Sequence, residues 1–172
     1  MRLFFALSPP PRVRRRIAAL QAELKLAGRP EAPNRVHLTL AFLGEVPEED
    51  LNAVIGTATA CRLPACRLRL DRLGWFPRAR VAWLGCTDTP PALGQFQAEL
   101  SGALKQAGLR PDRRRWHPHL TLYRKLRTPF AKIPFEAIDW PLEGFDLVHS
   151  RLQPEGPKYR SLQHWPAVGL RD

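Results

Sequence analysis

The tetrapeptide His-Leu-Thr-Leu occurs twice in this 172-residue chain, beginning at His37 and again at His119. Each copy heads an apolar, strand-like run. Successive side chains of an extended strand point to opposite faces. His37 and Thr39 therefore share one face while Leu38 and Leu40 share the other, and His119 and Thr121 repeat the arrangement over Leu120 and Leu122. Each strand presents an imidazole and a hydroxyl together from a bed of leucines, so two similar strands are expected to build one site.

The duplication reaches beyond the tetrapeptide. Leu20, Leu24, Lys25, Ala27 and Gly28 recur eighty positions later as Leu100, Leu104, Lys105, Ala107 and Gly108. Both segments follow prolines, end in glycine, and lead into Arg-Pro-acid, at Arg29, Pro30 and Glu31 and at Arg110, Pro111 and Asp112. Proline inside a helix start and glycine just past its end are the usual punctuation. The repeated unit is therefore helix, short loop, His-bearing strand. Two copies at so long a period point to a pseudo-twofold pair of lobes rather than a solenoid.

The remaining pattern predicts strands over 3–7, 36–43, 67–73, 80–85, 119–125, 145–153 and 160–168, with helices over 10–27, 48–60 and 91–107. Helices mixed with hairpin-like neighbouring strands favour an α+β fold over a doubly wound parallel sheet. The proline-rich stretch 128–141 reads as an ordered surface loop, because Phe130, Ile133, Phe135 and Trp140 are too apolar for a free linker. Without a defensible internal boundary, residues 1–172 are expected to form a single domain.

Composition excludes some classes and favours others. No apolar run is long enough to span a bilayer, and the short run at 3–7 meets prolines at once, so neither a membrane anchor nor a signal peptide is expected. Cys61, Cys66 and Cys86 form neither an even disulfide set nor a Cys-x-x-Cys knuckle, which suggests a reduced, cytoplasmic protein. The formal charge of +11 points to a polyanionic partner. A GC-biased genome would also raise arginine, proline and alanine, but arginines cluster at 14–16 and 113–115, and Arg124, Lys125 and Arg127 follow the second motif.

Displacement at phosphorus needs attacking and leaving oxygens roughly in line, with a base and an acid on opposite sides. Two facing histidines supply both, because imidazole titrates near neutrality. The threonine hydroxyls, about 6.5–7 Å along each strand, could donate to nonbridging oxygens, and no metal or other cofactor is required. A single His-Leu-Thr-Leu would more often be ordinary strand structure; its recurrence in matched contexts favours catalysis. His117, in His117-Pro118-His119, could suggest a metal pair, but no carboxylate or cysteine cluster accompanies it, so a position at the site rim is expected. His149 and His164 are expected in core or edge roles.

On these motifs the chain resembles the two-histidine (2H) phosphoesterase superfamily, and within it the RNA 2′,3′-cyclic phosphodiesterases, also described as 2′-5′ RNA ligase-like proteins. The resemblance runs from the first strand through His37-Leu-Thr-Leu-Ala-Phe42-Leu-Gly44-Glu45 and His119-Leu-Thr-Leu-Tyr-Arg124 to Tyr159, Trp165 and Pro166. It implies a bilobal α+β fold, with antiparallel sheets lining a central cleft and helices outside. The implied activity is that of a phosphoric diester hydrolase opening RNA or nucleotide 2′,3′-cyclic phosphates to 2′-phosphates, with no membrane partner and as a monomer. His37 and His119 would be acid and base, Thr39 and Thr121 phosphate-oxygen donors, and Arg124 a phosphate ligand. Phe42 and Tyr159 would be base-stacking candidates. By strand parity Arg124 falls on the face opposite His119, so that role requires a bulge, twist or long reach. A 2′-5′ RNA ligase running the reaction backwards and a noncatalytic RNA-binding module are the alternatives.

Overall fold

The computed structural model describes residues 1–169; residues 170–172, the end of the expected single domain, lie outside them. The fold is mixed α+β. Strand β1 (Arg2–Leu7) leads to helix α1 (Pro11–Leu24), a two-residue strand β2 (Arg29–Pro30) and β3 (Leu38–Glu45). Helix α2 (Leu51–Ala60), strands β4 (Arg67–Leu70), β5 (Arg72–Phe76) and β6 (Val81–Gly85), and helix α3 (Pro91–Gln106) follow. Strands β7 (His119–Arg124), β8 (Ile138–Pro141), β9 (Gly144–Arg151) and β10 (Lys158–Pro166) complete it. Among the described residues, no helix is long and apolar enough to cross a membrane.

One antiparallel sheet runs in the order β10-β9-β1-β3-β7-β6-β5, with β2 added on β7. The two His strands meet at its centre through a single pair, Leu38 opposite Leu120. Outward from that pair, β1 flanks β3 with Leu7 opposite Leu38, and β6 flanks β7 with Leu84 opposite Leu120. Leu38, Leu40, Leu120 and Leu122 enter the main core with the apolar faces of α1 and α3, as the alternation requires. On the opposite face Phe4, Ala6 and Val148 form a small second cluster beneath Phe42 and Tyr159.

The repeated segments cross over. After α1 the chain runs to the second His strand: Arg29 pairs with Arg124, Pro30 with Tyr123, and the Glu31 N–H donates to the Leu122 carbonyl. After α3 it runs to the first, where the Asp112 N–H donates to the Phe42 carbonyl. Each Arg-Pro-acid segment thus lies against the other motif's strand.

Several expectations change. Residues 128–141 are not loop throughout: Ile138 and Trp140 alternate inward with Asp139 outward, and the resulting β8 pairs with β4 in a separate two-stranded sheet. The expected strand over 67–73 breaks at Asp71, whose N–H donates to the Gly85 carbonyl and whose carboxylate accepts from Thr87 N–H. That break lets β4 join β8 while β5 joins β6. The expected helix over 48–60 begins with a 3₁₀ turn, Glu48–Asp50, before α2. Helix α1 stops at Lys25 in the left-handed region, φ 45°, rather than at Gly28. Gly28 serves close approach instead, since a Cβ there would lie 2.9 Å from the Arg124 carbonyl oxygen. Gly108, with φ 81°, does follow the end of α3 in the expected manner. The three cysteines are free.

Candidate active site

Both histidines are held in the same way. His37 Nδ1 lies 2.7 Å from the carbonyl oxygen of Arg35, and His119 Nδ1 lies 2.6 Å from that of His117. A carbonyl can only accept, so each Nδ1 carries the proton. Nε2 is then the titrating nitrogen of both rings, an acceptor when neutral and a donor when protonated. Burial lowers the pKa of His37 below its usual value, opposed by the Arg35 carbonyl and Glu31 and assisted by Arg124 and His119. Burial also dominates the lowering at His119, opposed by the His117 carbonyl and assisted by the charges of His117 and Arg124.

The two strands share a second device. In the β1–β3 ladder Ala6 faces Thr39 but Phe5 faces Ala41, so Leu40 is skipped. In the β6–β7 ladder Trp83 faces Thr121 but Ala82 faces Tyr123, so Leu122 is skipped. A bulge therefore follows the threonine in each motif and resets the alternation, as bulges beside active sites commonly do. Parity alone would turn the residue five places after each histidine away. The bulges return Phe42 on β3 and Arg124 on β7 to the site face; for Arg124 the bulge is one of the three routes that a place there requires.

At each bulge a helix glutamine donates to the skipped residue's carbonyl. Gln21 of α1 donates its side-chain amide to the Leu122 carbonyl at 2.8 Å and to that of Glu31 at 3.1 Å. Gln97 of α3 donates to the Leu40 carbonyl at 3.0 Å. The Tyr123 hydroxyl, turned into the core by the bulge, donates to the Gln21 carbonyl, and Trp116 Nε1 donates to the Thr39 carbonyl at 2.9 Å.

His37, Thr39, His119, Thr121, Arg124, Phe42 and Tyr159 all line one cavity of about 1090 Å³. Aromatic rings back both histidines. Phe4 lies 4.8 Å from His37 and Tyr159 edge-on at 5.1 Å, while Phe76 stands edge-on to His119 at 5.0 Å. Burial raises the Tyr159 phenol pKa, so it remains a neutral donor at ordinary pH. The Arg2 guanidinium sits over the Phe42 ring, 4.9 Å from its centroid. His117 is exposed at the rim, its ring edge-on to Trp83 at 4.6 Å. His149 and His164 lie on β9 and β10, and His164 Nδ1 is 3.0 Å from an Asp146 carboxylate oxygen. Among the described residues, no group of three or more His, Cys, Asp or Glu could hold a metal ion.

Seven arginines line the cavity against two acids, Glu31 and Asp112, so the chain's positive charge is concentrated at this mouth. Sequence reasoning missed Glu31, Arg35, Gln97 and Trp116 as site builders. For Glu31 a signal existed in the repeated Arg-Pro-acid tripeptide; Gln97 and Trp116 act through contacts between distant segments, and Arg35 through a backbone carbonyl and an ion pair that its sequence position does not announce.

The sequence model of the 2′-5′ RNA ligase superfamily matches residues 9–154. The RNA 2′,3′-cyclic phosphodiesterase of Escherichia coli (strain K12) is 36% identical over 168 residues, 95% of each chain. That of Thermus thermophilus is 32% identical over 182 residues, covering 98% of this chain and 91% of the relative. The crystal structure of E. coli LigT complexed with 3′-AMP superposes with a TM-score of 0.90 at 34% identity, covering 98% of both chains.

Proposed function

The chain belongs to the 2′-5′ RNA ligase superfamily and, within it, to the RNA 2′,3′-cyclic phosphodiesterases, and from that premise we propose that it hydrolyses 2′,3′-cyclic phosphates at RNA or nucleotide ends to 2′-phosphates. The observation that carries the proposal is the matched pair of imidazoles, each tied at Nδ1 to a carbonyl and each lining the same arginine-rich cavity.

In the proposed reaction a water oxygen attacks phosphorus while His119 Nε2 takes its proton. The bond from phosphorus to the ribose 3′ oxygen breaks on the opposite side, and His37 Nε2 protonates that oxygen. The products are a 3′ hydroxyl and a 2′-phosphate, and both histidines have exchanged protonation states, to be reset through solvent. Thr39, Thr121 and Arg124 donate to the nonbridging oxygens, where negative charge must be held. Phe42 and Tyr159 flank the base. Side chains supply every proton and every donor in this scheme, so it needs neither a metal nor another cofactor.

We further read the molecule as two pseudo-twofold lobes around a central cleft, related about the Leu38 and Leu120 pair. The matching bulges, the helix glutamine behind each and the exchanged Arg-Pro-acid segments support this. Because each lobe's helix and loop brace the other lobe's strand, the lobes form one domain. The site is complete within one chain, as a monomer acting on RNA ends in the cytoplasm requires.

Incubation with an oligonucleotide ending in a 2′,3′-cyclic phosphate, followed by phosphorus NMR, tests the reaction. A 2′-phosphate with intact internal linkages is expected. A 3′-phosphate, or cleavage within the chain, would overturn it.

A further inference from the structure

Beside His37 a single carboxylate holds two guanidiniums. Glu31 is 5% exposed at its side chain; Oε2 accepts the Nε–H of Arg124, and Oε1 lies 2.9 Å from Nε of Arg35. The Arg35 N–H is not aimed at that oxygen, so this contact is a close ion pair, whereas Arg124 makes an aligned hydrogen bond. The Glu31 backbone is also fixed: its N–H donates to the Leu122 carbonyl in the β7 bulge and its carbonyl accepts from Gln21. The carboxylate is therefore set in place relative to the strand that carries Arg124.

We infer that Glu31 is a positioning residue, whose buried carboxylate fixes Arg124 so that the free edge of its guanidinium faces the phosphate bound between His37 and His119. This rests on the function proposed above. With Nε engaged, the two terminal nitrogens of Arg124 remain for a ligand, and its side chain is 40% exposed in the cavity wall. Two guanidiniums and one carboxylate leave one net positive charge, which suits an anionic ligand. Without Glu31 the two cations would lie close together with no counter-charge. Arg35 has little room to withdraw: it is 18% exposed, donates to the Glu155 carbonyl at 3.4 Å, and packs so closely on Gly156 that a Cβ there would lie 2.5 Å from its Nη1. Asp112, the other acid lining the cavity, is already bound to Arg114.

Glu31 also reaches His37 electrostatically. The charged and titratable groups around that imidazole are Glu31 and Arg35 before it in the chain, Arg124 and His119 on β7, and Tyr159 on β10. Glu31 favours the imidazolium, against burial and the two β7 cations. It is not among the groups that shift His119.

Steady-state hydrolysis of adenosine 2′,3′-cyclic monophosphate by Glu31→Gln, Glu31→Asp and Glu31→Gln in an Arg124→Ala background tests the assignment, with the His37 and His119 resonances followed by NMR across pH. Glu31→Gln should lower kcat by about 10²-fold, the scale of a catalytic group displaced by about an ångström, and lower the His37 titration more than it moves that of His119. Glu31→Asp should recover part of both. The loss should largely vanish once Arg124 is gone, because Glu31 acts through it. Wild-type kcat with an unmoved His37 in Glu31→Gln, or an equal loss with and without Arg124, would overturn it; if the Gln variant does not fold, the Asp variant's kcat and His37 titration decide in the same sense. A wild-type protein inactive on this nucleotide would defeat the proposed function instead, and the NMR titrations would still decide whether Glu31 sets His37.

Discussion

At the scale of single residues, the two histidines combine a fixed tautomer with a depressed pKa. His37→Ala and His119→Ala should each lower turnover by about 10²–10⁴-fold, and the double variant should lose less than the product, because both act in one step; measured kcat for the three variants checks this. The proposed reaction needs one imidazole protonated and the other neutral, so kcat/KM should trace a bell. Burial lowers both values from 6.5 in the free protein, which places that bell on the acid side of neutrality. The same shifts bear on stability. Each ring binds its proton less readily folded than unfolded, so stability contributed by the neutral rings is present above the unfolded value and is lost as pH falls through the folded values. The histidines and threonines were legible because the same four residues recur in matched surroundings. The setting of Arg124 was not, since strand parity fails across a bulge and a bulge has no letter of its own in the sequence. Glu31 was visible as part of a repeat, but its partner lies 93 residues away.

Among the elements, the bulge after each threonine depends on a helix behind it. Gln21 is buried and satisfies the Glu31 carbonyl while adding a second donor to the Leu122 carbonyl, which the Glu31 N–H already engages, whereas Gln97 is only partly buried and donates to the Leu40 carbonyl alone. Gln21→Leu should therefore destabilise the fold by about 1–3 kcal/mol, the cost of leaving a buried polar group without its partner, and should cost more than Gln97→Leu, where water can replace the amide. Urea unfolding of the two variants measures the difference, and equal midpoints would remove Gln21 as the brace of the β7 bulge. The helices themselves were legible from proline entries and apolar periodicity, and Pro11 and Pro91 do stand at the first helical positions. Strand β8 was hidden by its four-residue length and proline-rich approach. The switch at Asp71 was hidden because one continuous alternating run serves two sheets, and only tertiary pairing reveals where it divides.

For the whole molecule, charge distribution matters more than net charge. The sequence total of +11 is compatible with genome bias, but seven arginines against two acids around one cavity is the distribution expected of a phosphate-binding mouth. The crossing of each Arg-Pro-acid segment to the other motif was beyond the sequence, because the repeat identifies two like units without saying which strand each helix and loop will brace. That exchange brings Arg29 and Glu31 to the β7 side of the cavity, beside Arg124, and Asp112, Arg114 and Arg115 to the β3 side, beside Arg35, so both walls carry guanidiniums drawn from both units. A mononucleotide can engage only the groups around its own phosphate and base, while a longer RNA end can also reach the outer arginines. Each additional phosphate neutralised on single-stranded RNA should add about 0.7 to the slope of log affinity against log salt. Binding of an oligonucleotide should thus weaken steeply between low and moderate salt, with a much shallower dependence for adenosine 2′,3′-cyclic monophosphate. Arg114→Ala with Arg115→Ala should flatten the oligonucleotide slope toward that of the nucleotide and leave nucleotide turnover nearly unchanged. Equal slopes for both ligands in the wild-type protein would mean that the outer arginines do not contact RNA and that recognition ends at the terminal nucleotide.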